Sequence, residues 1–115
     1  MRTGDPYTRA MVTNGEATPQ QASDAMRSGE AVLIDVRETW EWNQQRIAGA
    51  VLIPLAEVPH RLDEIPDDRD VYVHCRVGGR SAQAVEFLRA HGRPRAVNVL
   101  GGIEGWEQAG LPVEP

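Results

Sequence analysis

Four short apolar runs constrain this chain most. They are Val32-Leu33-Ile34-Asp35-Val36, Ala50-Val51-Leu52-Ile53-Pro54, Val71-Tyr72-Val73-His74 and Ala96-Val97-Asn98-Val99-Leu100. Runs this short, β-branched and nearly unbroken by polar residues are typical of strands buried on both faces of a parallel sheet. Parallel strands need crossover connections, and helical patterns lie between these runs. The alternation predicts an α/β domain, with a mainly parallel central sheet of about five strands and helices on both faces.

The connecting segments carry start and stop signals. Thr18-Pro19-Gln20-Gln21 opens a helix: Thr18 can cap, Pro19 suits the first helical position, and Gln21 completes a capping box. Ala22, Ala25 and Met26 share one face of it, and Gly29 ends it. A second short helix is predicted over Glu38 to Gln45. Leu55 to Leu62 reads as a helical turn or two interrupted by Pro59, and Asp63 to Asp70 as an acidic, solvated loop. The segment Ala82 to His91 places Ala84, Val85 and Leu88 at helical spacing, and Gly92 closes it. Gly101-Gly102 turns the chain into a short segment bearing Ile103 and Trp106, and Pro112 is expected to end the ordered region. The polar stretch 1–16 shows no period and is expected to be mobile or to form a short edge element, leaving 17–115 as one domain.

Composition removes several classes of function. The net charge is −5, whereas a nucleic-acid footprint needs a basic face. All 12 basic residues are arginine, so no lysine is present to form a Schiff base. No stretch approaches the roughly 18 apolar residues of a membrane span, and the first residues lack the pattern of a secretory signal. His60, His74 and His91 are scattered without a second ligand at metal spacing, so neither a metal nor another cofactor is expected. Trp40, Trp42 and Trp106 read as core or rim packing.

Cys75 is the one cysteine of the chain, so it cannot form an internal disulfide. It is either a buried filler or a reactive thiol. It stands at the end of an apolar run, followed by Arg76-Val77-Gly78-Gly79-Arg80-Ser81 and then a helical segment. An unperturbed thiol is only about 3% ionised at pH 7. This loop offers three means of raising that fraction. Gly78 and Gly79 permit a curled backbone whose N–H groups point inward. The following helix adds a positive dipole end. Arg76 and Arg80 add charge that does not titrate. His74, the arginines and the paired glycines do not suit a purely apolar slot. Asp35, Arg37 and Cys75 all fall at carboxyl ends of predicted strands, where such sheets bind ligands. A free thiol fits a reducing, cytoplasmic compartment.

The stretch resembles the active-site loop of the rhodanese family, in which a strand-end cysteine precedes a short loop of glycine and basic residues and then a helix. Leu33-Ile34-Asp35-Val36-Arg37 resembles the Asp-Val-Arg strand end of that family. Ile47-Ala48-Gly49-Ala50 resembles its Ile-x-Gly-Ala turn, although Gln45-Arg46 stands where Gly-His is usual. Leu100-Gly101-Gly102 with Trp106, and Gly110-Leu111-Pro112-Val113, resemble its C-terminal signature. These matches run in family order from Thr18 to Val113.

The resemblance implies a single-domain sulfurtransferase. Cys75 would take the outer sulfur of a small anionic donor such as thiosulfate as a persulfide, and pass it to a thiol or a sulfur-carrier protein. The N–H groups from Arg76 to Ser81 would cradle the persulfide, with Arg76 and Arg80 drawing in the donor. Asp35 and Arg37 would support the loop as a buried pair, or form an ordinary strand-end ion pair. Two alternatives stand beside this. A cysteine phosphatase or arsenate reductase places arginine after five intervening residues. Here only four separate Cys75 from Arg80, and Ser81 holds the next position. A non-catalytic binding module of rhodanese type commonly lacks the cysteine, which is present here.

Overall fold

The computed structural model describes residues 15–115. Its strands are β1 (Glu16–Ala17), β2 (Ala31–Asp35), β3 (Val51–Leu52), β4 (Asp70–His74) and β5 (Ala96–Val99). They form one parallel sheet in the order β1-β5-β4-β2-β3. The helices are α1 (Pro19–Arg27), α2 (Thr39–Gln44), α3 (Gly79–Ala90) and α4 (Gly102–Gln108), with 3₁₀ turns at Leu55–His60 and Leu62–Glu64. Among the described residues, no helix is long and apolar enough to cross a membrane.

The pleat divides the core between two faces. On one, Ile34, Val36, Val71, Val73 and Cys75 pack against Ala84, Val85 and Leu88 of α3. On the other, Leu33, Tyr72, Val97 and Val99 pack against Ala22 of α1 and Ile103 and Trp106 of α4. Alternate residues of one strand therefore serve opposite layers, as the two-residue period of a strand requires. Central β4 lies between β2 and β5, so its carboxyl end opens into the middle of the domain.

Local signals explain most boundaries. Thr18 and Gln21 form the reciprocal capping box at α1. The expected helix over 82–91 starts three residues earlier: Gly78, at φ 122°, is its N-cap, so Gly79, Arg80 and Ser81 form its first turn. Strand β3 is shorter than the Ala50–Pro54 run, and Val51 is 47% exposed. It pairs only with β2, so its apolar residues form an edge rather than a strand buried on both faces.

Two further expectations change. The 63–70 segment is not a plain solvated loop. Ile65 is buried, Arg93 donates to the Ile65 carbonyl at 2.7 Å, and Asp70 opens β4 while pairing with Arg95 at 2.9 Å. Order also continues past Pro112. The Trp106 indole donates to the Pro112 carbonyl at 2.9 Å, and Glu114 exchanges two backbone hydrogen bonds with Arg46, each 2.8 Å. Within the segment expected to be mobile or an edge element, Glu16 is an edge-strand residue paired with Asn98. Residues 1–14 of it lie outside the described residues.

Candidate active site

Strand β4 delivers Cys75 beneath the N-terminus of α3. Cys75 is 1% exposed, as an inert core cysteine would also be. Its polar contacts separate the two readings. The Gly78 N–H donates to Cys75 Sγ at 3.1 Å and the Ser81 N–H at 3.4 Å. The Ser81 hydroxyl lies 3.3 Å away. Gly78 supports this curl through its φ of 122°, a region that L side chains rarely adopt. Burial pushes the Cys75 thiol up, but hydrogen bonds from Ser81, Gly78 and Val77 outweigh it and bring the thiol below its ordinary value.

The loop is clamped from the far side. Gly101-Gly102 starts α4 so close that a methyl group on Gly102 would lie 2.4 Å from the Cys75 carbonyl oxygen. Helix α4 uses that approach. The Ile103 N–H donates to the Cys75 carbonyl at 2.9 Å and the Glu104 N–H to that of Arg76 at 3.2 Å. Donors at the start of a helix have no intrahelical acceptor, and here they take loop carbonyls.

Neither arginine of the loop is a free charge. Arg80 donates from both terminal nitrogens to Glu41 of α2, at 2.8 and 3.0 Å. Hydrogen bonds from Arg80 hold the Glu41 carboxyl down at about 2, against burial. Arg76 pairs with Glu104 at 3.3 Å, with both side chains largely in solvent, where such a pair contributes little. Val77 supplies its N–H to the sulfur while its side chain is more than half exposed. Between α2 and α4 a cleft of about 370 Å³ opens beside the loop, with Trp40, Glu41, Arg76 and Glu107 on its walls.

Asp35 and Arg37 form a buried, forked pair. Arg37 Nη2 donates to Asp35 Oδ2 at 2.7 Å and also to the Gln45 carbonyl at 2.8 Å, tying the end of β2 to the end of α2. Asp35 stands in register with His74 across the sheet. His74 Nδ1 donates to the Cys75 carbonyl at 3.1 Å, while Nε2 faces Asp35 Oδ2 at 3.5 Å without a hydrogen bond. Burial pushes His74 down more strongly than Asp35 raises it, so the ring is neutral. Among the described residues, no group of three His, Cys, Asp or Glu side chains is placed to hold a metal ion.

Cys75, Gly78 and Ser81 thus meet at one point, with Gly79 and Arg80 in the helical turn above. Glu41, Asn98 and Gly102 also belong to the site, though nothing near Cys75 in sequence marks them. One signal for Asn98 was available: it is the polar residue inside an apolar strand.

Comparison with known proteins identifies the family. Residues 18–109 match the model of the rhodanese-like domain. A sulfurtransferase from Allochromatium vinosum is 38% identical over 87% of this chain and 91% of its own. A thiosulfate sulfurtransferase, GlpE, from Glaesserella parasuis is 36% identical over 86% of this chain and 92% of its own. The crystal structure of a rhodanese-related protein from Thermoplasma volcanium superposes with a TM-score of 0.78 at 33% identity, covering 85% of this chain and 95% of that one. Matched from its first helix cap to the end of its last helix, the chain belongs to the rhodanese-like domain family.

Proposed function

We propose that this chain is a sulfurtransferase that carries sulfur on Cys75. The thiolate attacks the outer sulfur of thiosulfate or a similar anionic donor. A sulfur–sulfur bond forms on Cys75, the donor's own sulfur–sulfur bond breaks, and sulfite leaves with that electron pair. In the second step an acceptor thiolate attacks the outer sulfur of the persulfide, which returns Cys75 as thiolate. Val77, Gly78 and Ser81 hold the sulfur, Arg76, Gly79 and Arg80 complete the loop about it, and Asp35 and Arg37 brace the floor. The acceptor is a thiol, on a small molecule or on a sulfur-carrier protein. A lone reactive thiol fits a reducing compartment such as the cytoplasm.

One observation carries this reading. Two backbone donors converge on a buried sulfur, Gly78 N–H at 3.1 Å and Ser81 N–H at 3.4 Å, with the Ser81 hydroxyl 3.3 Å away. An inert core thiol has no need of them, whereas an anionic sulfur does. The similarity to sulfurtransferases along most of the chain supports the same reading.

Mass spectrometry tests it. After incubation with thiosulfate, cysteine persulfide or glutathione persulfide, Cys75 should gain the mass of one sulfur and lose it to excess thiol. Cys75→Ser should gain none and keep its fold by circular dichroism. A Cys75 that loads from no donor would make the chain a binding module instead.

A further inference from the structure

Inside the cradle, one hydrogen is needed in two places. The Ser81 hydroxyl donates to Asn98 Oδ1 at 2.6 Å, and its oxygen lies 3.3 Å from Cys75 Sγ. A serine hydroxyl has one hydrogen and two lone pairs. While the hydrogen points at Asn98, only a lone pair faces the sulfur, and the contact requires Cys75 to be S–H. A sulfur anion needs the opposite arrangement, with Ser81 donating to it. The Ser81 oxygen would then oppose Asn98 Oδ1 as two acceptors 2.6 Å apart. Ser81 is fully buried and Asn98 is 7% exposed, so water cannot readily relieve that conflict.

Asn98 can relieve it by turning its amide over. After a half-turn, Nδ2 donates to Ser81 and Ser81 donates to the sulfur. The turn gives up the hydrogen bond from Nδ2 to the Gly78 carbonyl, which at 3.4 Å is long, and sets Oδ1 against that carbonyl at about the same separation, a far looser opposition than the 2.6 Å one it removes. That carbonyl already accepts the Ala82 N–H at 3.1 Å, so it is not orphaned. The backbone need not move. Asn98 is paired with Val73 on one side and Glu16 on the other, and its N–H donates to the Gly15 carbonyl at 2.7 Å.

We infer that Asn98 is a positioning residue for Cys75, accepting from Ser81 when Cys75 is a thiol and donating to Ser81 when the sulfur is an anion. The one bond broken in the switch is the S–H of Cys75, whose proton leaves to solvent as in any cysteine ionisation while the electron pair stays on sulfur. The role rests on the proposed sulfur transfer only for its use: there Cys75 is a thiolate when it attacks the donor and again when it leaves the acceptor, so the donating orientation is the working one. The formal charges about the loop come from other elements. They are Arg80 with Glu41, Arg76 with Glu104, and the Asp35, Arg37 and His74 group. None lies on β5, so Asn98 acts through the Ser81 hydroxyl.

The test is the pH dependence of Cys75 alkylation by iodoacetamide in the full chain. Asn98→Asp provides only acceptors and keeps the Ser81 hydrogen from the sulfur. Its midpoint should rise by about one pH unit, a tenfold loss of thiolate below the midpoint. Asn98→Leu competes for nothing and should leave the midpoint within about 0.3 pH units of the parent. In a Ser81→Ala background, the Asn98→Asp effect should shrink to about a third or less. An Asn98→Asp effect undiminished without the hydroxyl would reduce it to plain charge repulsion and overturn the inference. Equal midpoints for the Asp and Leu variants would also overturn it. Nuclear magnetic resonance on the unmodified protein serves even if a variant fails to fold. The Asn98 side-chain amide signals should shift with the midpoint of Cys75, and signals that stay fixed through it would overturn the switch. No sulfur donor enters either measurement, so a Cys75 that never loads sulfur would leave these results standing.

Discussion

Glu41 holds both terminal nitrogens of Arg80, at 2.8 and 3.0 Å, so the cation nearest the candidate nucleophile in the helical turn is already paired. Electrostatic capture of an anion depends on the net charge at the mouth. Glu41→Gln frees that cation and should raise kcat/KM for thiosulfate about two- to threefold at low salt, with the gain fading as the Debye length shortens. Arg80→Ala should lower it about tenfold, partly through the carboxylate it uncovers. Adding Glu41→Gln to Arg80→Ala should then recover most of the loss. Steady-state kinetics at two salt concentrations decide. A loss that Glu41→Gln leaves untouched would mean that Arg80 contacts the donor itself.

The seat of α4 is equally specific. A methyl group on Gly102 would meet the Cys75 carbonyl oxygen at 2.4 Å and the Arg76 carbonyl oxygen at 2.5 Å, and Gly102 has φ +59°. The obstruction is backbone, which cannot rotate away. Gly102→Ala should destabilise the fold by roughly 2–4 kcal/mol and slow Cys75 alkylation at fixed pH. Chemical denaturation with an alkylation time course measures both. A variant of parental stability would show that α4 can retreat without disturbing the loop.

The buried pair sets a third expectation. The Arg37 side chain is 4% exposed and that of Asp35 is fully buried. Arg37→Met removes the cation and leaves a carboxylate with no water to solvate it. The expected loss is about 3–5 kcal/mol, as for other buried pairs broken on one side. Asp35→Asn with Arg37→Met should restore part of it. If the double variant is no more stable than Arg37→Met, the isolated charge is not the cause.

Acid should act in two windows. His74 is held neutral by burial, below its usual 6.5, so the unfolded chain takes up a proton that the folded chain refuses. That contribution is complete above about 6.5 and is lost as the pH falls from there. The groups facing its ring are Asp35 and, beyond it, Arg37. Glu41 titrates at about 2 against 4.5, so its contribution is complete above 4.5 and is lost as the pH falls towards 2. With Arg80 one-third exposed, that pair contributes only about 1 kcal/mol. Tm should therefore fall between pH 6.5 and 5 in the parent and less steeply in His74→Asn. Parallel curves for the two would remove His74 from the account.

The centre of the sheet was readable because β2, β4 and β5 are covered on both sides, and continuous apolar runs signal that cover. Strand β3 was not, because the same letters at 50–53 describe an edge once topology leaves one side open. At the site, Gly78 and Ser81 were readable because they follow Cys75 directly. Glu41 lies 39 positions from Arg80 and Asn98 lies 17 from Ser81, and only the crossing of strands brings them together. The loop's positive charge was overestimated for the same reason, since a sequence displays its arginines but not their distant partners. The later start expected for α3 has a local cause: glycines at 78 and 79 read as loop, yet Gly78 is the cap that begins the helix.

The clamp on Cys75 comes from residues that follow it in the chain. Asn98 meets Ser81, and the Ile103 and Glu104 N–H groups take the Cys75 and Arg76 carbonyls. A growing polypeptide that has left the ribosome only as far as α3 holds the sulfur and its backbone donors, but not the segments that clamp the loop. The seat of the loop is therefore finished last in chain order, when α4 packs against carbonyls that were made well before it.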